Sequence, residues 1–252
     1  LKIEIFDNSD NLIRTFSSEE SIKSKLAIKE EGKLQTLNWG FDVEGYNPPK
    51  GVMTPRGSDG YMRSYSIIPG TYKVKFSYGE YEKTDSFKIV IDPRSNVAMD
   101  EYEIKNELLS KIDSDIDNIY ASLITLQNVR NQLNKLNDRL GVEESYSEII
   151  DLSKKTMKLI DETESQLISP KQKTFQDVIN FRNQLDNQFY DLLNTVNGNA
   201  PPLTGGEKIR YIDLHKNWVT IKVGVDTIIN NVSEINNLLS QNPVPYISGG
   251  GK

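Results

Sequence analysis

The sequence predicts a multidomain α+β protein: a small immunoglobulin-like antiparallel β-sandwich followed by an up-and-down four-helix bundle. Two observations favour this fold class. Residues 1–95 contain short runs in which apolar and polar residues alternate between turn-forming residues. Residues 96–242 contain four long stretches in which apolar residues recur every three or four positions. We therefore predict the sandwich over 1–95, the bundle over 96–242 and a flexible, Gly- and Pro-containing tail over 243–252.

Charge is distributed unevenly along the 252 residues. The chain has 30 Lys and Arg against 36 Asp and Glu, a formal net charge of −6. Residues 1–95 hold 14 basic and 14 acidic side chains, so the whole acidic excess lies in residues 96–252. Nucleic-acid binding depends on clustered Lys and Arg that neutralise phosphates, so this balance argues against a nucleic-acid partner. The change in charge near residue 95 also supports a domain boundary there.

Composition excludes several kinds of chemistry. The chain has no Cys, which removes disulfides, thiolate nucleophiles and Cys-ligated metals. Its one histidine, His215, cannot form a His-rich zinc site, and a Ser-His-Asp triad would have to use this residue, which falls in a helical pattern. No apolar run approaches the roughly 18–20 residues of a membrane span. We expect no metal, no cofactor and no membrane-spanning segment in this chain.

The first strands are predicted at the amino-terminal end. LKIEIFDNSDNLIRTF contains two alternating runs on either side of residues 7–11, an Asp- and Asn-rich cluster of the kind that turns the chain by bonding its own backbone. Residues 34–43, LQTLNWGFDV, are predicted as a third strand anchored by Trp39. Residues 45–60 are rich in Gly and Pro and lack periodicity, so we predict a long loop.

A β-hairpin is predicted over residues 67–94, IIPGTYKVKFSYGEYEKTDSFKIVIDPR. Turns are expected at Pro69-Gly70 and at Gly79, and an alternating run follows each turn. Asp92-Pro93 ends the second strand because proline cannot donate a hydrogen bond to the ladder. The apolar face is predicted to consist of Tyr72, Val74, Phe76, Tyr78, Phe87, Ile89 and Ile91.

Four helices are predicted from apolar residues at spacings of three and four. The first ends before Gly141, a position typical of a glycine C-cap. The third opens at Thr174, a plausible N-cap with Asp177 three residues later. Because the links are mostly short, we predict that successive helices alternate in direction. The first helix carries apolar residues from Ile112 to Leu140, and the others span about 143–168, 174–197 and 205–241.

Aromatic and basic residues in and around the predicted loop form a candidate ligand-binding surface. They are Trp39, Tyr46, Tyr61, Tyr65 and Arg56. The aromatic rings could stack on sugars, and the guanidinium could pair with a carboxylate of a ligand. Aromatic side chains in a small sandwich are, however, more often core residues or loop anchors. A carbohydrate- or peptide-binding module that uses the 45–66 loop is therefore the alternative function.

Two other patterns begin a known motif without completing it. Residues 113–117 read Asp-x-Asp-x-Asp, like the first half of a calcium loop, but the positions that require Gly and Glu hold Asn118 and Ile124. Residues 205–208, Gly-Gly-Glu-Lys, lack the spacing of a phosphate-binding loop, and no strand pattern precedes them. We interpret the first as a solvated acidic helix face and the second as the start of the fourth helix.

Three segments occur in an order that resembles a known region. They are LKIEIFDNSDNLIRTF, LNWGFDVEGYNPP and IIPGTYKVKFSYGEYEKTDSFKIVIDPR. Together they resemble the region after the β-propeller in bacterial exported proteins with BNR (Asp-box) repeats, often called sortilin-like or glycosyl-hydrolase-like proteins. The likeness covers about residues 1–95 and is only architectural over 96–252. It is carried by Trp39-Gly40, Pro69-Gly70-Thr71-Tyr72 and Asp92-Pro93-Arg94.

The resemblance implies a non-catalytic accessory module of an exported bacterial protein, with the propeller of the same parent chain as its partner and a protein or glycan ligand as a further one. The Asp-box pattern S-x-D-x-G-x-T-W does not occur in this sequence, so no catalytic residue is carried over and we expect this chain not to be an enzyme. The sequence opens in a strand pattern without an initiator Met, so we also expect it to be part of a longer protein.

Overall fold

A computed structural model of the chain describes residues 1–18, 34, 36–46, 48–49, 52, 62–141 and 143–242. Within these residues the protein is α+β, with a four-stranded antiparallel sheet followed by four α-helices. The predicted tail, residues 243–252, and two predicted site residues, Arg56 and Tyr61, lie outside the described residues.

The sheet consists of β1 (Lys2–Phe6), β2 (Leu12–Ser17), β3 (Gly70–Tyr78) and β4 (Tyr81–Ile89) in the order β2-β1-β3-β4. Both predicted hairpins are confirmed. In the first, the Asp7 carboxylate accepts the backbone N–H groups of Ser9 and Asn11, which turns the chain between β1 and β2. In the second, Gly79 has a φ of 57°, a left-handed conformation that favours glycine.

The third strand predicted over residues 34–43 is wrong for the described part of that segment. The described residues of this segment form a single isolated bridge, between Asp42 and Ser66, and a second isolated bridge joins Tyr46 to Met62 just after the segment. Phe41 has a φ of 58°, which interrupts the extended backbone that a strand requires. The described residues therefore form one sheet, and the segment around Asp42 lies beside β2 as a loop.

One face of the sheet is more buried than the other. Ile5, Phe16 and Tyr72 are buried, and Tyr72 stacks on Phe87 with ring centroids 5.7 Å apart. The predicted inward position of Tyr78 is not observed, because this side chain is largely exposed at the end of the β3–β4 hairpin. The remaining predicted residues of that face, Val74, Phe76, Phe87, Ile89 and Ile91, are half-buried.

The helices are α1 (Met99–Leu140), α2 (Ser147–Leu167), α3 (Leu185–Gly198) and α4 (Gly205–Gln241). The predicted end of α1 at Gly141 is confirmed, with a φ of 63° at that glycine. The predicted N-cap at Thr174 forms a capping box with Asp177, but it caps a short 3-10 turn, Phe175–Ile179, and α3 begins later. A second 3-10 turn, Glu144–Tyr146, precedes α2.

The direction of the helices differs from the predicted up-and-down alternation. Arg130 of α1 pairs with Asp161 and Glu164 near the end of α2, while Lys105 near the start of α1 bonds the carbonyl of Asn197 near the end of α3. α2 and α3 therefore lie one after the other along α1, and both run antiparallel to it. The reason is length: α1 has 42 residues, about 63 Å, and α2 has 21, about 32 Å, so α2 covers only half of α1.

Apolar side chains form two clusters along the long helices. The first joins Tyr46, Val52, Met62 and Tyr65 to the first halves of α1 and α4 and to α3. The second joins the second halves of α1 and α4 to α2. At each level, three helices therefore surround the core, and the described residues Tyr46, Val52, Met62 and Tyr65 contribute to the first cluster.

Candidate functional site

The sequence-predicted site residues that the structure describes are not gathered at one exposed surface. Tyr46 and Tyr65 are 1% and 8% exposed, and both rings belong to the first apolar cluster. Trp39 is half-buried; its Nε1 donates to the Asp42 carbonyl at 2.9 Å, and its ring meets Phe87 edge-on at 6.1 Å. Stacking on a sugar needs an exposed ring face, and burial leaves neither Tyr46 nor Tyr65 available for it.

Tyr46 and Ser64 instead join the β region to α1 through a shared carboxylate. Both hydroxyls donate to Oδ1 of Asp113, and the two hydroxyl oxygens lie 3.2 Å apart. Burial and the nearby Asp113 carboxylate raise the pKa of the Tyr46 phenol well above its usual value. Tyr46 is therefore a neutral hydrogen-bond donor at any physiological pH, and this cluster acts as a structural connection.

A polar cleft of about 540 Å³ lies between the sheet and α1, next to this connection. Asp7, Glu44, Asp113 and Asp117 line it together with side-chain amides and hydroxyls. These carboxylates have partners within the chain: Asp7 bonds Asn11, and the other three also make contacts. Among the residues that the structure describes, no group of three or more His, Asp or Glu is arranged to hold a metal ion.

His215 pairs with a buried carboxylate on α1. Its Nδ1 lies 2.8 Å from Oδ2 of Asp115, and its ring stacks on Tyr211 with centroids 5.5 Å apart. The hydroxyl beside the imidazole is the Tyr211 phenol, whose pKa is raised to about 12 by burial and by Asp115. A phenol that holds its proton this strongly is a poor nucleophile. The pair therefore satisfies the buried Asp115 and links α1 to α4.

The outer face of α4 carries the most unusual surface in the described part of the chain. Ile209, Ile212, Val219 and Val223 are 62%, 62%, 53% and 63% exposed. At about 100° per residue they fall within an arc of roughly 80°, and exposed Lys216 lies in the same arc between Ile212 and Val219. We call these four residues the outer stripe.

The outer stripe lies opposite the side of α4 that packs in the core. The core side is formed by Leu214, Trp218, Val225 and Ile228, whose mean direction is roughly 170° from the stripe at about 100° per residue. A helix at the surface of a single protein normally has one apolar side and one polar side. Exposed apolar residues grouped on one side of a helix are a common mark of an interaction surface.

Sequence reasoning missed the outer stripe, although a signal was present. The strong rhythm from Leu214 to Leu239 accounts for the core side but not for the apolar residues that fall outside it. Their own spacing, with 209 and 212 followed by 219 and 223, is a second helical period on the same segment. Projecting every apolar residue of α4 on a helical wheel would have identified both sides.

Comparisons of the chain with protein-family models, with curated proteins and with solved structures returned no match. None of the described helices is both long enough and apolar enough to cross a membrane. The proposals below are therefore based on the contacts and surfaces of this chain and on the sequence resemblance.

Proposed function

We propose that this chain is a non-catalytic accessory module of an exported bacterial protein, and that it acts by packing within its parent protein or against another chain. The outer stripe of α4 is the observation that carries the proposal. Four large aliphatic side chains on one side of the helix expose apolar area to water, and covering that area is favourable. A packing surface accounts for their position opposite the core side of the helix.

Rigid connections between the sheet region and the helices support this role. The Ser66 backbone N–H donates to Oδ1 of Asn197 on α3 at 2.9 Å. The Tyr190 hydroxyl, also on α3, donates to the Arg63 carbonyl at 3.3 Å. With the Tyr46–Asp113 bond, these contacts hold the β region against α1 and α3. A module fixed in this way can hold its partners at a constant distance and orientation.

The finer architecture is also part of the proposal. We propose that the sheet is one layer of an immunoglobulin-like sandwich and that the four helices form a bundle in which α2 and α3 share one row. The order β2-β1-β3-β4, with Trp39 packed on Phe87, supports the first. The two apolar clusters along α1 and α4 support the second. The propeller implied by the resemblance is the partner that we propose within the parent protein.

A thiol-labelling experiment tests the packing surface. Because the chain has no Cys, a Val219→Cys substitution introduces a single thiol in the outer stripe. We expect a thiol reagent to modify this residue slowly in the intact parent protein, because the partner covers it. An Ile124→Cys variant is the matched control, since Ile124 is an exposed aliphatic residue on α1. Equal labelling rates for the two variants in the parent protein would reject the proposed function.

A further inference from the structure

We propose that the outer stripe binds the outer stripe of a second copy of this chain, with the two α4 helices antiparallel. This inference rests on the proposed function and names the partner of the same surface. Two charged side chains that flank the stripe, Lys208 and Asp226, determine both the partner and its direction.

Lys208 and Asp226 lie on the same flank of the stripe. They are 18 positions apart, about five full turns, so they point in nearly the same direction from the helix axis, about 27 Å from each other. Both are exposed, and neither makes an ion pair with another residue in the part of the chain that the structure describes. The four stripe residues lie between them along the helix.

Antiparallel pairing brings these charges together with opposite sign. A two-fold axis near position 217, midway between the two charged residues, places Lys208 of each copy beside Asp226 of the other and so forms two ion pairs. The same symmetry places Ile209 and Ile212 of one copy against Val219 and Val223 of the other. Lys208 and Asp226 thus lie at the ends of the contact. The apolar residues lie between them together with Lys216, an exposed side chain that falls within the same arc of the helix and next to the two-fold axis. The Lys216 stem packs along the apolar residues while its ammonium group stays in water.

Parallel pairing is disfavoured by the same two residues. In a parallel two-fold dimer the two Lys208 side chains would lie at one end of the contact and the two Asp226 side chains at the other, so neither charge would meet its opposite. Charge at the edge of an interface contributes more to orientation than to affinity, whereas the apolar residues supply most of the affinity. The two kinds of residue can therefore be tested separately.

Sedimentation velocity of the full chain tests the proposal, in a series from about 1 μM to about 200 μM, where dissociation constants in the micromolar range are visible. We expect a dimer in reversible equilibrium for the unaltered chain. Val219→Glu should weaken dimerisation at least about a hundredfold, because it buries a charge at the centre. Lys208→Glu and Asp226→Lys should each weaken it about tenfold, because each places like charges together at two symmetric sites.

The charge exchange is the decisive variant. The double variant Lys208→Glu/Asp226→Lys reverses both charges and should restore the dimer to within about threefold of the unaltered chain, because opposite charges meet again. Ile124→Glu on α1 and Lys155→Glu on α2, both at exposed positions, are the controls and should leave dimerisation unchanged. Circular dichroism and thermal melting confirm that each variant is folded.

Three results would overturn self-pairing: a monomer throughout the series, a dimer that tolerates Val219→Glu, or a double variant no stronger than the single reversals. These results do not by themselves reject the proposed function. If the chain is monomeric but Val219→Cys is protected in the parent protein, the stripe packs against a different partner. If the chain is monomeric and the thiol is unprotected, both proposals fail.

Discussion

Asp186 shows how one buried polar group changes the stability of the protein. It lies in the first turn of α3, is 1% exposed, and accepts the Asn187 backbone N–H on Oδ1 at 2.6 Å. Its Oδ2 has no hydrogen-bond partner in the part of the chain described. Burial is the main cause that raises the pKa of this carboxyl from 3.8 to about 7. The charged form therefore destabilises the folded state near neutral pH.

Replacing Asp186 by Asn should remove this pH dependence. The folded-state pKa lies above the unfolded one, so stability is lost as the pH rises from about 4 to about 7, at about 1.4 kcal/mol per unit. We expect Asp186→Asn to match the unaltered chain near pH 4 and to exceed its unfolding free energy by up to about 4 kcal/mol at pH 8. Urea denaturation at several pH values measures this difference. A difference that does not vary with pH, or one equal to that of the exposed control Asp213→Asn, would contradict the prediction.

Arg14 and Asp42 form a buried ion pair that holds the loop beside β2. Both side chains are buried, with Nη1 and Oδ1 2.5 Å apart. Arg14→Met leaves the Asp42 carboxylate buried without its cation and should lower the unfolding free energy by about 3–5 kcal/mol. Lys73→Met is the matched control, because it breaks the exposed Lys73–Asp10 pair and should cost under about 1 kcal/mol. If urea denaturation shows that Arg14→Met and Lys73→Met lower the unfolding free energy equally, burial of the Arg14–Asp42 pair contributes nothing to stability.

At the scale of helices, Gly224 determines how closely α4 approaches α2. A Cβ at this position would lie 2.7 Å from Oγ1 of Thr163, which is buried on α2. Gly224→Ala gains about 1 kcal/mol in helix propensity but should lose about 1–3 kcal/mol by overpacking, a net loss near 1 kcal/mol. Thermal and urea unfolding measure the change.

Two further variants separate these opposing effects. Gly206→Ala is the control, since its nearest neighbouring atom, Thr204 Oγ1, is 3.9 Å away, and we expect no loss of stability. Adding Thr163→Ala to Gly224→Ala should recover part of the loss, because it removes the clash. If Gly224→Ala alone stabilises the chain, the two helices can separate at little cost and the close contact is not required.

Elements specified by local signals could be predicted, and those decided by distant contacts could not. The alternating runs around Gly79 specify the β3–β4 hairpin, and the cap at Gly141 specifies the end of α1. Residues 34–43 have a strand-like pattern, but the Arg14–Asp42 ion pair and the positive φ of Phe41 make the described part of this segment a loop. The direction of α3 depends on the length of α1 that α2 leaves uncovered. No local sequence pattern encodes this length.

The same distinction between local signals and distant contacts applies to the candidate sites. Tyr46 and Tyr65 are aromatic residues in and around a predicted loop, but their burial is decided by contacts with α1, which begins more than 30 positions later in the chain. The outer stripe was missed for the opposite reason, although its spacing is local. An apolar residue on a helix is first interpreted as core, and only packing reveals which side of the helix remains exposed.

At the scale of the whole molecule, the composition boundary near residue 95 does not coincide with the boundary of the apolar core. Met62, Tyr65 and Tyr46 belong to the same cluster as α1, α3 and α4. Tyr120 of α1 meets Tyr46 edge-on at 6.1 Å, and its hydroxyl lies 3.5 Å from Sδ of Met62. The helical region therefore completes its core with residues that precede α1 by more than 30 positions.

A fragment of residues 96–242 should consequently be much less stable than the chain. It lacks Tyr46, Met62 and Tyr65, and burial of each of these side chains stabilises the folded state by about 1.5–3 kcal/mol. The unfolding free energy should therefore fall by something on the order of 5 kcal/mol, which is comparable with the total stability of many domains. We expect a lower and broader melting transition and binding of a dye that recognises exposed apolar surface. A fragment of residues 1–242 is the control and should melt like the whole chain. A fragment 96–242 that melts cooperatively at the same temperature would instead show that the helices form an independent domain, since Tyr46, Met62 and Tyr65 would then contribute nothing to their stability.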